Sequence, residues 1–338
     1  MTKMYLLKQA RQAGFTLIEL LISMVLGLIL IGGIYSVFTE NARTSQFVQA
    51  TSRTQENGRF ALSELVSRAR MIGYKGCMST IDLNSSDFVN ALNSTGDDYY
   101  FDFAAGSLEV FAAADLPAPL NTAITPKDDT DVLIVRGLSS EDFNLKSAMV
   151  NTSADLKLIG QSDITEGDVL FMSDCQKAAV FQVTNTNLQG GTGDRNVVHN
   201  TGGGAPGNAT KTLSNGEAFA EDATVQRFSA TVYFIAQASF LTNNQGDDTF
   251  SLWQKNGTAA PFELVSGINN LQVWLGEDSN EDGVPDRIVK SADLQTPNDA
   301  KDVVTIDFRI TADSIDPVGD SLVVRDFFAS VKLRNLGI

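Results

Sequence analysis

Gly14-Phe15-Thr16-Leu17-Ile18-Glu19-Leu20-Leu21 opens an apolar run that continues to Phe38. The 24 residues from Phe15 to Phe38 contain one charged side chain, Glu19. As a helix they extend ~36 Å, enough to cross the hydrocarbon core of a bilayer. The stretch reads as a membrane span. The 14 residues before Phe15 carry Lys3, Lys8 and Arg11 and no acid, so the positive-inside rule keeps them in the cytoplasm and places everything after Phe38 on the far side. A carboxylate this far into a span costs on the order of 3 kcal/mol on insertion scales, which marks Glu19 as a functional position. Cleavage after Gly14 would free an amine on Phe15, one helical turn from Glu19, so the two charges could meet within one subunit or between two. A plain anchor whose Glu19 lies shallow and hydrated satisfies the same residues.

The short basic leader, Gly14, and then Phe15-Thr16-Leu17-Ile18-Glu19 resemble the prepilin signal of type IV pilins and type II secretion pseudopilins. The resemblance implies that a prepilin peptidase cuts between Gly14 and Phe15 and methylates the new N-terminal Phe15. It also implies that Glu19 docks subunits during assembly. A secretory signal peptide fits less well, because its apolar region spans about 7–15 residues and ends at a small-x-small site. Here the run ends in Ser36-Val37-Phe38-Thr39-Glu40.

Composition bounds the remainder. The chain has 338 residues, length enough for one large domain or two modest ones. Its 41 acids against 25 Lys and Arg give a formal charge of -16, and loss of the leader's three cations would take this to -19. Nucleic acid is thereby disfavoured, since phosphate binding needs basic patches and only a short basic stretch occurs, from Arg68 to Lys75. Acidity instead favours solubility and leaves room for divalent cations. The two cysteines, Cys77 and Cys175, both fall on the exported side. In an oxidising compartment such a pair is most simply a disulfide, two free buried thiols being the alternative. A metal role for the pair is disfavoured by the single histidine and the absence of Cys-x-x-Cys spacing.

Beyond the span the helix is expected to continue, because no proline occurs before Pro117 and Gly58 is the only glycine from Ile34 to Ile72. Phe47, Ala50, Thr54, Ala61, Leu62, Leu65, Ala69 and Ile72 recur at three- and four-residue steps as a one-sided stripe, and Gly73 is placed to end it. Such a stripe needs a partner, expected to be a β-sheet. The expected division is a leader at 1–14, a transmembrane helix at 15–38, its amphipathic continuation at 39–73 and an exported globular domain at 74–338. Gln55–Leu62, Met71–Cys77 and Asp326–Asn335 resemble the corresponding segments of PilW-type minor pilins. That resemblance implies a non-enzymatic, low-copy subunit that helps initiate a type IV pilus and sits near its tip. Its implied partners are the major pilin, other minor pilins, the prepilin peptidase, the inner membrane and the pilus assembly platform. Major pilins commonly have a proline soon after the membrane, and none is present here.

Short β-branched runs at Asp131–Arg136, Asp168–Met172 and Ala178–Val183 read as strands, with Cys175 between the last two. A disulfide at Cys175 would tie the helix end to the sheet. Strand character returns at Thr224–Ile235, Phe250–Gln254, Asn270–Leu275, Val303–Ile310 and Phe327–Leu333. In the fourth of these Val304, Ile306, Phe308 and Ile310 face one way and Thr305, Asp307 and Arg309 the other, as expected of antiparallel strands with one wet face. The fold class is therefore α+β, a long N-terminal helix packed on an antiparallel sheet. Gln189–Gly216 is rich in Gly, Asn and Thr and holds the lone His199. It reads as a surface loop, lacks the Gly-Lys-Ser/Thr of a phosphate loop, and shows no acid–base constellation around the histidine.

One further stretch carries chemistry. Asp278-Ser279-Asn280-Glu281-Asp282-Gly283-Val284-Pro285-Asp286 places oxygen ligands at alternating positions around a glycine turn, as a calcium loop requires. Its spacing is similar to the loops of dockerin and thrombospondin type 3 repeats. By position the ligands of Ca2+ would be Asp278, Asn280, Asp282, the Val284 carbonyl and Asp286. Val289 stands where an EF-hand has its bidentate Glu, which lowers the expected affinity to about 10⁻⁴–10⁻³ M. A solvated acidic turn is the alternative. For the whole protein the alternatives are a type II secretion pseudopilin and an adhesin or lectin domain on a pilin stem.

Overall fold

The structure, a computed structural model, describes residues 15–74, 76, 85–93, 99–101, 106–160, 163–188, 193–294 and 302–334. Helix α1 (Leu17–Arg70) is continuous over 54 residues. It ends at Met71, followed by Gly73 at φ 74°, close to the stop expected from the sequence.

After α1 come β1 (Phe88–Asn90), β2 (Leu108–Ala112), the short α2 (Leu120–Ala123), β3 (Asp131–Asn144) and β4 (Leu156–Leu158). Next are β5 (Val169–Ser173), β6 (Ala178–Gln182), β7 (Asn185–Leu188), β8 (Arg195–Val198), β9 (Thr224–Thr242) and β10 (Asp248–Asn256). The chain closes with β11 (Phe262–Ser266), β12 (Ile268–Glu277), β13 (Arg287–Val289), β14 (Val303–Asp313) and β15 (Val324–Lys332). Among the described residues they form an eight-stranded sheet built around β9, a four-stranded sheet in the order β13-β12-β14-β15, and a small sheet in the order β4-β8-β7. Every pairing is antiparallel except β1 with β6. The α+β layout is thus a long helix on mostly antiparallel sheet.

The C-terminal half of α1 buries Thr54, Gly58, Ala61, Leu65 and Ala69. Ala61, Leu65 and Ala69 pack in one core with Ile306, Phe308, Ile310 and Val331 of the four-stranded sheet and Leu133, Tyr233 and Leu252 of the large one. Phe47 belongs to the same stripe by spacing, yet remains 47% exposed, because the sheets cover the helix only from about Ala50 onward. Small residues on this face let the sheet approach closely. A Cβ at Gly58 would stand 2.2 Å from the Phe327 ring of β15. Gly58→Ala therefore sets a helix-propensity gain of about 1 kcal/mol against overpacking of about 1–3 kcal/mol. The expected result is a net loss of stability in urea unfolding, relieved by Phe327→Ala; a more stable Gly58→Ala would show that the ring is not held there.

The alternation expected in β14 is present for Ile306, Phe308 and Ile310, but Val303 is buried in place of Val304. The register slips between Gly276 and Glu277 of β12, so Glu277 pairs with Val303 and Val304 is skipped. Gln189–Gly216 also departs from expectation. Its described residues contain β8, and Val197, His199, Asn208 and Leu213 are buried. Asn208 stands in for a strand here: its Oδ1 accepts the Gln182 N–H at 2.7 Å and its Nδ2 donates to the Gln182 carbonyl at 2.7 Å.

Candidate functional site

The N-terminus of α1 is capped by its own residues. Thr16 Oγ1 accepts the Glu19 N–H at 3.4 Å, and the Glu19 carboxylate accepts the Thr16 N–H at 3.0 Å and its hydroxyl at 2.8 Å. This is a capping box, two orphan donors satisfied reciprocally. Sequence reading singled out Glu19 but missed Thr16, although Thr-x-x-Glu before an apolar run is the signature. Phe15 is exposed beside this cap, and Gly14 lies outside the described residues. From Phe15 to Phe38 the large apolar side chains are exposed along the whole helix. A helix this long, apolar and unburied suits a membrane better than water.

The second candidate, the loop joining β12 to β13, gathers its oxygen-bearing side chains in one turn. Asp278 accepts the N–H groups of Asp282 (3.2 Å) and Gly283 (2.6 Å), and Asp282 accepts that of Val284 at 2.8 Å. Asn280 Oδ1 also accepts the Asp282 N–H, at 2.9 Å. Asp286 accepts the Ser279 N–H at 2.9 Å, its hydroxyl at 2.7 Å and Asn280 Nδ2 at 3.1 Å. Those Ser279 hydrogen bonds hold the Asp286 carboxyl below the usual range. Lys332 of β15 donates to the Gly283 carbonyl at 2.8 Å and pins the loop over the sheet. An all-oxygen donor set fits a hard cation. Among the described residues, however, no three His, Cys, Asp or Glu side chains converge so as to hold a metal ion.

Cys175 sits in the turn between β5 and β6 at φ 67° and is not a free thiol. Cys77 lies outside the described residues. His199 is buried, with Nε2 2.9 Å from the Ala154 carbonyl. Burial lowers its pKa, so the imidazole is held neutral. The Phe181 ring lies beside it, 5.2 Å between centroids, which describes a packed core histidine.

Residues 9–35 match the family model described as the prokaryotic N-terminal methylation motif. The chain carries a prepilin-type signal. No curated protein and no solved structure matches the chain. The motif covers the end of the leader and most of the apolar segment, including Gly14, Phe15 and Glu19. A signal of this kind implies processing by a prepilin peptidase and assembly with other pilin-like subunits, and the single apolar helix fits membrane anchoring of the prepilin-like form.

Proposed function

We propose that this protein is a minor subunit of a type IV pilus, of the PilW type, that helps initiate the filament and lies at or near its tip. The supporting observation is the methylation motif at residues 9–35 continued by an unbroken, unburied apolar helix into a β-rich domain. The chain enters the inner membrane leader-in, is cut after Gly14, is methylated on Phe15 and is built into the filament through its apolar helix. Its role is structural and not enzymatic. In the assembled filament Glu19 answers a neighbour's Phe15 amine, so neither charge is buried alone. A Cys77–Cys175 disulfide staples the segment after α1 to the β5–β6 turn.

The test is mass spectrometry of sheared, purified pili. The expected result is a low-stoichiometry subunit whose N-terminal peptide begins at methylated Phe15. Retention of the processed form in membranes and absence from pili would favour a secretion pseudopilin. The capping box sharpens the role of Glu19. Glu19→Gln keeps a side chain able to complete the box, whereas Glu19→Val removes both box and charge. Both variants are expected to be processed and yet fail to support piliation. Normal piliation with Glu19→Gln would assign Glu19 to capping alone.

We also propose that the Asp278–Asp286 loop takes calcium, on the strength of its ligand spacing and all-oxygen chemistry. Titration of the full chain with calcium chloride is expected to show binding at about 10⁻⁴–10⁻³ M that Asp282→Ala removes. Heat of equal size from the variant would assign the loop to a solvated turn.

A further inference from the structure

The domain meets α1 close to the apolar segment. Gly319, in the loop between β14 and β15, lies against Arg43: a Cβ there would stand 2.6 Å from the guanidinium Nη2. Arg43 is five residues beyond Phe38, or about 7.5 Å along the helix axis. Helical side chains tilt toward the N-terminus, so the guanidinium and Gly319 lie no farther from the span than the Arg43 backbone does. The headgroup layer beyond each face of the hydrocarbon core is roughly 5–8 Å deep. Because α1 is unbroken from Leu17 to Arg70, no flexible joint lets the domain swing away.

The β14–β15 loop is braced by the β9–β10 turn. Asn244 N–H donates to Asp316 Oδ1 at 3.0 Å and Gln245 Nε2 to the Gly319 carbonyl at 3.5 Å. The two loops form one rim, with Leu322 40% exposed beside them. We propose that this rim, residues 243–248 and 315–322, rests on the headgroups of the bilayer that the chain spans before assembly. The inference depends on the membrane-spanning reading of Phe15–Phe38. The contact is sensitive to lipid charge. Asp247, Asp248, Asp316 and Asp320 are all exposed on the rim, so a zwitterionic surface is tolerated and an anionic one repels.

The full chain in phosphatidylcholine nanodiscs carrying a headgroup nitroxide tests the contact. A bimane on Ser321→Cys should lose most of its fluorescence. One on Val284→Cys should not, because β14 and β15 run from the rim pair Asp313 and Val324 to the far pair Thr305 and Lys332, beside the Val284 loop. Replacing phosphatidylcholine by phosphatidylglycerol should relieve the quenching at 321, and Asp316→Asn with Asp320→Asn should restore it. Equal quenching at 321 and 284, with a Phe38→Cys probe strongly quenched, would overturn the rim contact while leaving the span intact. An unquenched probe at 38 would overturn the span and the rim contact together.

Discussion

Arg136→Ala is expected to lower the unfolding free energy by about 3–5 kcal/mol, the cost of breaking a buried ion pair from one side. Arg136 is 1% exposed and is the largest fully buried side chain among the described residues. Its Nη1 lies 2.7 Å from Glu109 Oε2, its Nε and Nη1 donate to the carbonyls of Tyr99 and Gly106 at 3.2 Å each, and the guanidinium stacks 4.5 Å from the Tyr99 ring. Tyr99 closes the circuit, donating its hydroxyl to Glu109 at 2.7 Å. Burial foremost, and then the Glu109 carboxylate, push the phenol's pKa up, so it stays a donor. Alanine leaves Glu109 charged with one donor fewer, together with two orphaned carbonyls. Removing both charges at once, Arg136→Met with Glu109→Gln, should cost less than the two single changes added together. Urea midpoints of the full chain, read at unchanged m value, measure the cycle. Strict additivity would mean that Arg136 acts through packing and not through Glu109.

Nothing in the sequence around Arg136 announces that role. Asp131–Arg136 reads as a short β-branched strand that ends at the arginine. The structure carries β3 on to Asn144, so Arg136 falls mid-strand, between β2 and the centre of β9. Features encoded by neighbours in sequence were legible: the apolar run, the helical stripe, the stop near Gly73 and the alternation in β14. The prepilin-type signal belongs with them, since its pattern is a contiguous stretch of chain. Features that depend on a distant partner were not. Gly58 looks like a weak point in a helix until Phe327 is seen lying on it. Val303 and Val304 exchange faces because of a register slip set by β12. The polar loop around His199 gains its order from Gln182, on another strand.

Asp131→Ala is expected to cost about 3 kcal/mol, from an unsatisfied buried N–H and a lost charge partner. Asp131 opens β3 in the large sheet, but its carboxylate serves β12 in the other one. Oδ2 accepts the Val273 N–H at 2.7 Å and the Lys290 ammonium. Lys290 also donates to Gln272 Oε1 at 2.7 Å and sits 4.3 Å from the Trp274 ring centroid. The reason lies in strand lengths. β13 covers only Leu275–Glu277 of β12, so among the described residues the N-terminal part of that edge has no strand beside it, and the aspartate supplies the missing acceptor. Gln272 does the same in reverse, donating to the Asp129 carbonyl at 2.8 Å. Asp131→Asn, which keeps an acceptor oxygen, should cost about 1 kcal/mol. Hydrogen exchange separates this account from a general loosening: the Val273 amide should lose protection in Asp131→Ala well beyond its β14-paired neighbours and largely keep it in Asp131→Asn. If all of β12 exchanged faster to the same degree in both variants, the carboxylate would be holding the two sheets together by charge and not by completing the edge of β12.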